Sequence, residues 1–335
     1  MEALHAGNAH VNTARILHDA RTFFAHLLGT EHFAPASLPV PSSLMRRDFT
    51  FLEKNAYFVG KKHDGVRCAL LLGVTATHPR ITYTALINRA GTIHLVLASA
   101  SSPEWPPELH RGTLLDCELL ACTPKKGGLI VFDAFAVSGY DVRPCDIAVR
   151  MRHAKAAVEK IRQIVTPQPF NSRSRSKCTI AVALKHFEQA TPESVKKLWS
   201  SVDKKDEPSD GVVFAPRNKA LETGRMPTYF KFKPSTKHTI DLLFSKETLT
   251  CSNGDHLPPN VDVDCDGLSD AGARKGIVEV AVSRRGERVG LSFVTNRDDK
   301  TNANSRFVVD RTIRNLFEGL TIDDVSHALK DSPKF

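Results

Sequence analysis

From Tyr57 to Leu120 the chain carries short apolar runs without helical spacing: Ala56 to Val59, Val66 to Val74, Ile81 to Asn88, Thr92 to Leu97 and Thr113 to Leu120. Turns rich in Gly, Pro, Ser and His separate them. Runs of this length between such turns read as β-strands. A chain built this way must fold around a mostly antiparallel sheet.

The flanking segments add helices and a second texture. Thr13 to Leu28 places Leu17, Ala20, Phe24, Leu27 and Leu28 on one helical face, and Pro35 to Pro41 follows as an extended connection. Leu129 to Ala136 reads as a strand entered by TPKKGG, and Ile147 to Ile164 as a helix with Arg and Lys on its polar side. Ile180 to Leu184 is strand-like. SSVDKKDEPS, Ser200 to Ser209, reads as a surface loop, and the strand Gly211 to Ala215 follows it. After Pro234, short strands between polar turns run to near Phe293, as in a small β-barrel. Thr321 and Asp324 stand at capping-box spacing, so a last helix begins there.

A length of 335 residues suits one large and one small domain. With 41% hydrophobic and 25% charged residues, disordered and membrane classes are poor fits. No apolar run of about 18 residues exists, and MEALHAGNAH lacks a signal-peptide layout. The expectation is an intracellular protein, in a nucleus or a viral factory, with no membrane partner. Seven cysteines without a CxxC pair fit reduced thiols, with Cys68 and Cys117 in the core. A formal charge of +9 favours an anionic partner.

Six motifs carry the chemistry. KKHDGVR holds Lys62, Asp64, Gly65 and Arg67 between two strands. LLDCELL holds Asp116 and Glu118, and VFDAFAVSG holds Phe132 and Asp133. SDGVVF holds Asp210 and Gly211, YFKFKP holds Lys231 and Lys233, and NRDDK holds Arg297, Asp299 and Lys300. Each has a bland reading alone: a charged turn, a solvated strand face, or an edge strand defended by lysines. Their joint order makes chance a poor explanation.

The set resembles the covalent nucleotidyltransferase superfamily, whose signature is KxDGxR, an acid-rich strand, DG, KxK and RxDK. Within it, FDAFAVSG and the TxD of KFKPSTKHTID look like mRNA capping guanylyltransferases rather than ATP-dependent ligases. RDDKTNANSRF running into TIDDV is similar to the compact enzymes of large DNA viruses of algae. His63, where the family carries a small polar residue, and Asn88 before Arg89, where an Asp is common, are departures beside the site.

The resemblance implies an α+β fold: an ATP-grasp-like, mostly antiparallel nucleotidyltransferase domain over 1–234, an OB-fold β-barrel lid over 235–319, and a helix over 320–335 packing back. It implies that Lys62 takes GMP from GTP as a phosphoramidate and passes it to a 5′-diphosphate RNA. A lysine attacks only as the free amine, so Lys62 requires neighbouring positive charge from metal, Lys231 or Lys233. Glu118 and Asp210 are the expected ligands of Mg²⁺ or Mn²⁺, with ribose contact an alternative for Glu118. Phe132 and Val213 would sandwich guanine, and Lys185 would read it, a solvated strand-end lysine being the alternative. Asp64, Gly65, Arg67, Arg89 and Asp241 complete the expected nucleotide site, and Arg297, Asp299 and Lys300 would reach the triphosphate from the closed lid. SRSRSK, Ser172 to Lys177, reads as a solvated loop, with RNA guidance the alternative. A separate RNA triphosphatase and cap methyltransferase are the expected partners. The rivals are an ATP-dependent polynucleotide ligase and a catalytically dead OB-fold nucleic-acid-binding protein.

Overall fold

The computed structural model describes residues 13–76, 81–98, 105–120, 126–167, 177–202, 208–298, 300 and 302–334. Helix α1 (Thr13–Leu28) leads to β1 (Val40–Ser43), α2 (Phe49–Lys54) and β2 (Tyr57–His63). Strands β3 (Val66–Val74), β4 (Thr82–Asn88), β5 (Ile93–Ala98), β6 (Thr113–Leu119), β7 (Lys126–Val137) and β8 (Tyr140–Asp141) follow. Helix α3 (Ile147–Ile161) precedes β9 (Gln163–Pro167), β10 (Lys177–Leu184) and β11 (Glu188–Gln189). Then come α4 (Pro192–Trp199), β12 (Ser209–Pro216) and β13 (Arg225–Phe232). The last part holds β14 (Thr239–Ser245), β15 (Thr248–Thr250), β16 (Val261–Asp262), α5 (Cys265–Asp270), β17 (Gly276–Arg285), β18 (Arg288–Asn296), α6 (Arg306–Glu318) and α7 (Ile322–Ala328).

Three sheets result, and the fold is α+β with mostly antiparallel pairing. The largest runs β10-β9-β5-β4-β3-β6-β7-β8, and a parallel β10–β7 pairing closes seven of its strands into a ring. Strand β3 is apolar almost throughout because both of its faces are covered. Cys68, Leu70 and Leu72 join a cluster with α3, while Ala69 and Leu71 join one with Ile16, Ala20 and Phe24 of α1. The second sheet, β1-β13-β12-β2-β11, packs its Val59, Val212, Phe214, Phe230 and Phe232 against α2, α4 and α7. The third, β15-β14-β17-β18-β16, is the OB-type barrel, its core completed by Val309, Ile313 and Leu316 of α6.

Most expected elements stand within a residue or two of their expected ends. The helix expected to Ile164 instead ends at Ile161, because Gln163–Pro167 pairs with β10. Arg150 does not share the polar side expected for that helix: it is 0% exposed. Helix α6 was not expected at all within the barrel, nor were the short α2, α4 and α5. Thr321 caps α7 as expected, its hydroxyl accepting from Asp324 N at 3.2 Å, and Leu320, Val325 and Leu329 dock on the second sheet. Residues 203–207 of the polar loop and 172–176 of SRSRSK lie outside the described residues, and Ser209 already belongs to β12. Cys68 and Cys117 are buried, directly opposite each other on β3 and β6.

Candidate active site

Strand β2 pairs with β12 with Lys62 opposite Gly211, and Asp210 is the extra residue of a bulge between Ser209 and Gly211. A bulge re-aims its residue out of the ladder. Asp210 accordingly stands 2.8 Å from Lys62 Nζ through Oδ1, while Lys233 Nζ contacts Oδ2. Gly211 has φ +155, and a Cβ there would strike the Phe232 carbonyl, so only glycine lets β13 approach this closely. Lys62 thus lies inside the end of β2 rather than after it.

On β13 the alternation of a strand sends Phe230 and Phe232 into the core and Lys231 and Lys233 to the other face. Three ammonium groups therefore crowd one carboxylate. Burial, then the charges of Lys62 and Lys233, bring Lys231 down to about 7. Burial and then the charge of Lys62 lower Lys233 as well, partly offset by Asp210. The paired lysines outweigh burial at Asp210 and hold its carboxyl below the usual range.

The other wall comes from the ring. Arg67 of β3 makes a bidentate ion pair with Asp116 of β6, through Nε at 3.0 Å and Nη2, and its Cζ stands 5.2 Å from the Phe132 ring centre. Lys185 Nζ lies 5.6 Å from the same ring and 5.2 Å from Phe187. Burial, reinforced by Lys62 and Arg67 and opposed by Glu118, lowers Lys185 to about 7. Gly65 N donates to Glu118 Oε1 at 3.1 Å, and a Cβ at Gly65 would run into the Leu119 carbonyl. Burial raises the Glu118 carboxyl even though Lys62, Arg67 and Lys185 pull it down.

Between these walls lies a cleft of about 600 Å³. Of the expected residues it brings together Lys62, Gly65, Arg67, Arg89, Glu118, Phe132, Lys185, Val213, Lys231, Arg297 and Lys300. Asp64 is exposed on the turn, and neither it nor Asp210, Lys233 or Asp241 is among the lining residues. Asp241 instead stands behind the two cations of NRDDK: Arg297 Nη1 lies 3.2 Å from Asp241 and 3.1 Å from Glu279, and Lys300 Nζ contacts Asp241. Asp299 lies outside the described residues. Arg89 donates to the Ala36 carbonyl at 2.9 Å, tying the cleft to the segment after α1.

The segment after α1 and Arg150 escaped the motifs. Ala36, Pro39 and Val40 form one rim, from a stretch that reads only as a connection. Behind Phe132, Asp133 takes a bidentate pair from buried Arg150 at 2.7 and 3.0 Å, and Arg150 also donates to Tyr229 Oη at 2.9 Å. An isolated arginine in a helix carries no signal for such a bond.

Glu118 and Asp210 are hard oxygen donors, the kind magnesium takes one or two at a time beside phosphate oxygens. Half-buried Glu118 lines the cleft, whereas Asp210 lies outside its lining and is held by Lys62 and Lys233. Among the described residues no cluster of three or more potential ligands stands together. No helix among them is long and apolar enough to cross a membrane.

Residues 6–235 match the family model described as "mRNA capping enzyme, catalytic domain". The mRNA-capping enzyme subunit alpha of Kluyveromyces lactis is 25% identical over 243 residues, covering 68% of this chain and 51% of that protein. The subunit of the same name from Schizosaccharomyces pombe is 26% identical over 247 residues, covering 70% and 59%. The chain thus spans little more than half the length of these relatives. Among solved structures, the ATP-dependent DNA ligase of bacteriophage T7 in complex with ATP matches with a TM-score of 0.39 and 12% identity, covering 83% of this chain and 84% of that one. The ligase domain of M. tuberculosis LigD matches at 0.36 and 12%, covering 79% and 95%.

Proposed function

Because the chain belongs to the family of mRNA capping enzyme catalytic domains, we propose that it is a GTP:RNA guanylyltransferase working through Lys62. In the first step the free amine of Lys62 attacks the α-phosphorus of GTP. A nitrogen–phosphorus bond forms, the bond to the β-phosphate oxygen breaks, and pyrophosphate leaves with that electron pair. In the second step a terminal oxygen of a 5′-diphosphate RNA attacks the same phosphorus and Lys62 leaves, giving the capped end.

The observation that supports this reading is the crowding of Lys62, Lys231 and Lys233 around the single carboxylate of Asp210. Asp210 holds Lys62 until an anion arrives, and fixed cations then offset charge developing on the α-phosphate. Phe132 offers its ring to the base with Val213 opposite, and Lys185 stands where an oxygen of the base would be read. Mg²⁺ or Mn²⁺ held by Glu118 and Asp210 would add positive charge at the phosphates. Residues 235–319 act as the lid over the domain formed by 1–234, and residues 320–335 anchor the chain end on it. A compact enzyme of the algal-virus type, working in a nucleus or a viral factory beside a separate triphosphatase and methyltransferase, suits this reading.

The test is incubation with each labelled NTP followed by denaturing electrophoresis. Label from GTP is expected on the wild type and none on Lys62→Ala, because the amine is the nucleophile. Stacking on Phe132 does not choose guanine over adenine, so label from ATP alone would move the assignment to a ligase.

A further inference from the structure

Helix α6 presents Phe307 to solvent at the edge of the cleft, and at 55% exposure it is the second most exposed large hydrophobic side chain among the described residues. Arg225 lies over it, Cζ 5.0 Å from the ring centre. Arg225 opens β13 opposite Val40 of β1, and Val40 and the next residue, Met226, both line the cleft. No carboxylate among the described residues pairs with Arg225. One turn along α6, Arg311 donates to the Ser43 carbonyl at 3.1 Å and pairs with Asp48 at 2.8 Å. Ser43 is the register partner of Lys231. A line of cations therefore runs from Phe307 through Arg225 and Arg311 to the lysines around Asp210.

We propose that Phe307 and Arg225 form a stacking and phosphate-binding platform for the acceptor RNA, holding the nucleotides that follow its 5′ end. This rests on the guanylyltransferase reading. Single-stranded nucleic acid is held without sequence choice by an aromatic face beside a cationic track. Phe307 supplies the face, since one side carries the guanidinium and more than half of the residue is open. Arg225 supplies a cation that an internal acid does not already neutralise. The platform adjoins the cleft, so a strand lying on it directs its terminal phosphates inward. Charge supports the same direction: Arg225 adds to the fields that lower both Lys231 and Arg311, after burial.

The experiment uses purified guanylylated enzyme in single-turnover transfer. Acceptors are a 5′-diphosphate RNA of about ten nucleotides, long enough to cross one such site, and a nucleoside diphosphate. Phe307→Ala is expected to raise the RNA concentration for half-maximal transfer about tenfold, with no rise for the nucleoside diphosphate and recovery in Phe307→Trp. Arg225→Gln is expected to flatten the salt dependence of RNA use by about one counterion. Adduct formation is read in parallel as the control for folding. Equal RNA dependence in wild type and Phe307→Ala would overturn the platform, as would an equal rise with both acceptors. If the wild type forms no GMP adduct, the guanylyltransferase reading fails by itself. Fluorescence anisotropy of the same RNA then decides the platform, which stands if Phe307→Ala weakens binding and falls if it does not.

Discussion

Lys231 and Lys185 are the residues whose surroundings change their chemistry most plainly. Both are brought to about 7 from an ordinary 10.5, burial being the first cause at each. Folding lowers their proton affinity, so between those two values the unfolded chain binds more protons and stability rises with pH. The strain of a buried ammonium is fully present below about 7 and is relieved above it. The nucleotide-free protein is therefore expected to unfold at a higher denaturant concentration at pH 8.5 than at pH 7, although the buried thiols Cys68 and Cys117, whose folded values burial pushes well up, begin to ionise in the unfolded chain near pH 8.5 and offset part of the gain. Lys231→Met should lose part of that slope, and an unchanged slope would mean that Lys231 stays charged in the fold. Lys231 was legible, because KxK after DG in this motif order is a specific pattern, whereas Lys185 in LKHF read equally as a solvated strand-end lysine. Asp241 was legible only as a member of the pattern. Its place behind Arg297 and Lys300, rather than facing the cleft, depends on pairing between β14 and β17 that no local spacing reports.

At the scale of elements, Arg150 joins three of them. Its guanidinium, on α3, reaches Asp133 on β7, Tyr229 on β13, and the carbonyls of Cys145 and Lys219. Replacing it by Met keeps much of the volume but leaves Asp133 buried without its partner. Breaking a buried pair in this way costs about 3–5 kcal/mol, so Arg150→Met is expected to shift the unfolding midpoint strongly, and a shift within error would show that water replaces the arginine. Strand legibility followed burial: Val66 to Val74 was readable end to end because both faces of β3 are covered, giving an unbroken apolar run. Helix α6 was not, and its composition explains why. Phe307, Val308, Val309, Thr312 and Ile313 are poor helix formers with strand-like preferences. The helix forms because Val309, Ile313 and Leu316 complete the barrel core, a tertiary demand that local propensity does not carry.

For the molecule as a whole, the small barrel and the large unit meet across the cleft, with Arg297 and Lys300 on one side and Lys62 on the other. Asp241 pairs with both of those cations and Glu279 with Arg297. Arg297→Ala is expected to slow adduct formation by roughly 2–4 kcal/mol of barrier, with much less effect on transfer from preformed adduct, since pyrophosphate has by then left. Single-turnover measurement of both half-reactions checks this, and the reverse pattern would place the barrel over RNA instead. The ring of the large sheet has a further consequence, for synthesis on the ribosome. Its closing strand, β10, seals the gap between β7 and β9, yet it is the last of the seven to be made. Until residues 177–184 emerge, the nascent chain displays two open strand edges with their amides and carbonyls unmet, the kind of surface that recruits other chains. The walls that carry Arg67, Glu118 and Phe132 are translated early, but they become a sealed vessel only when β10 arrives.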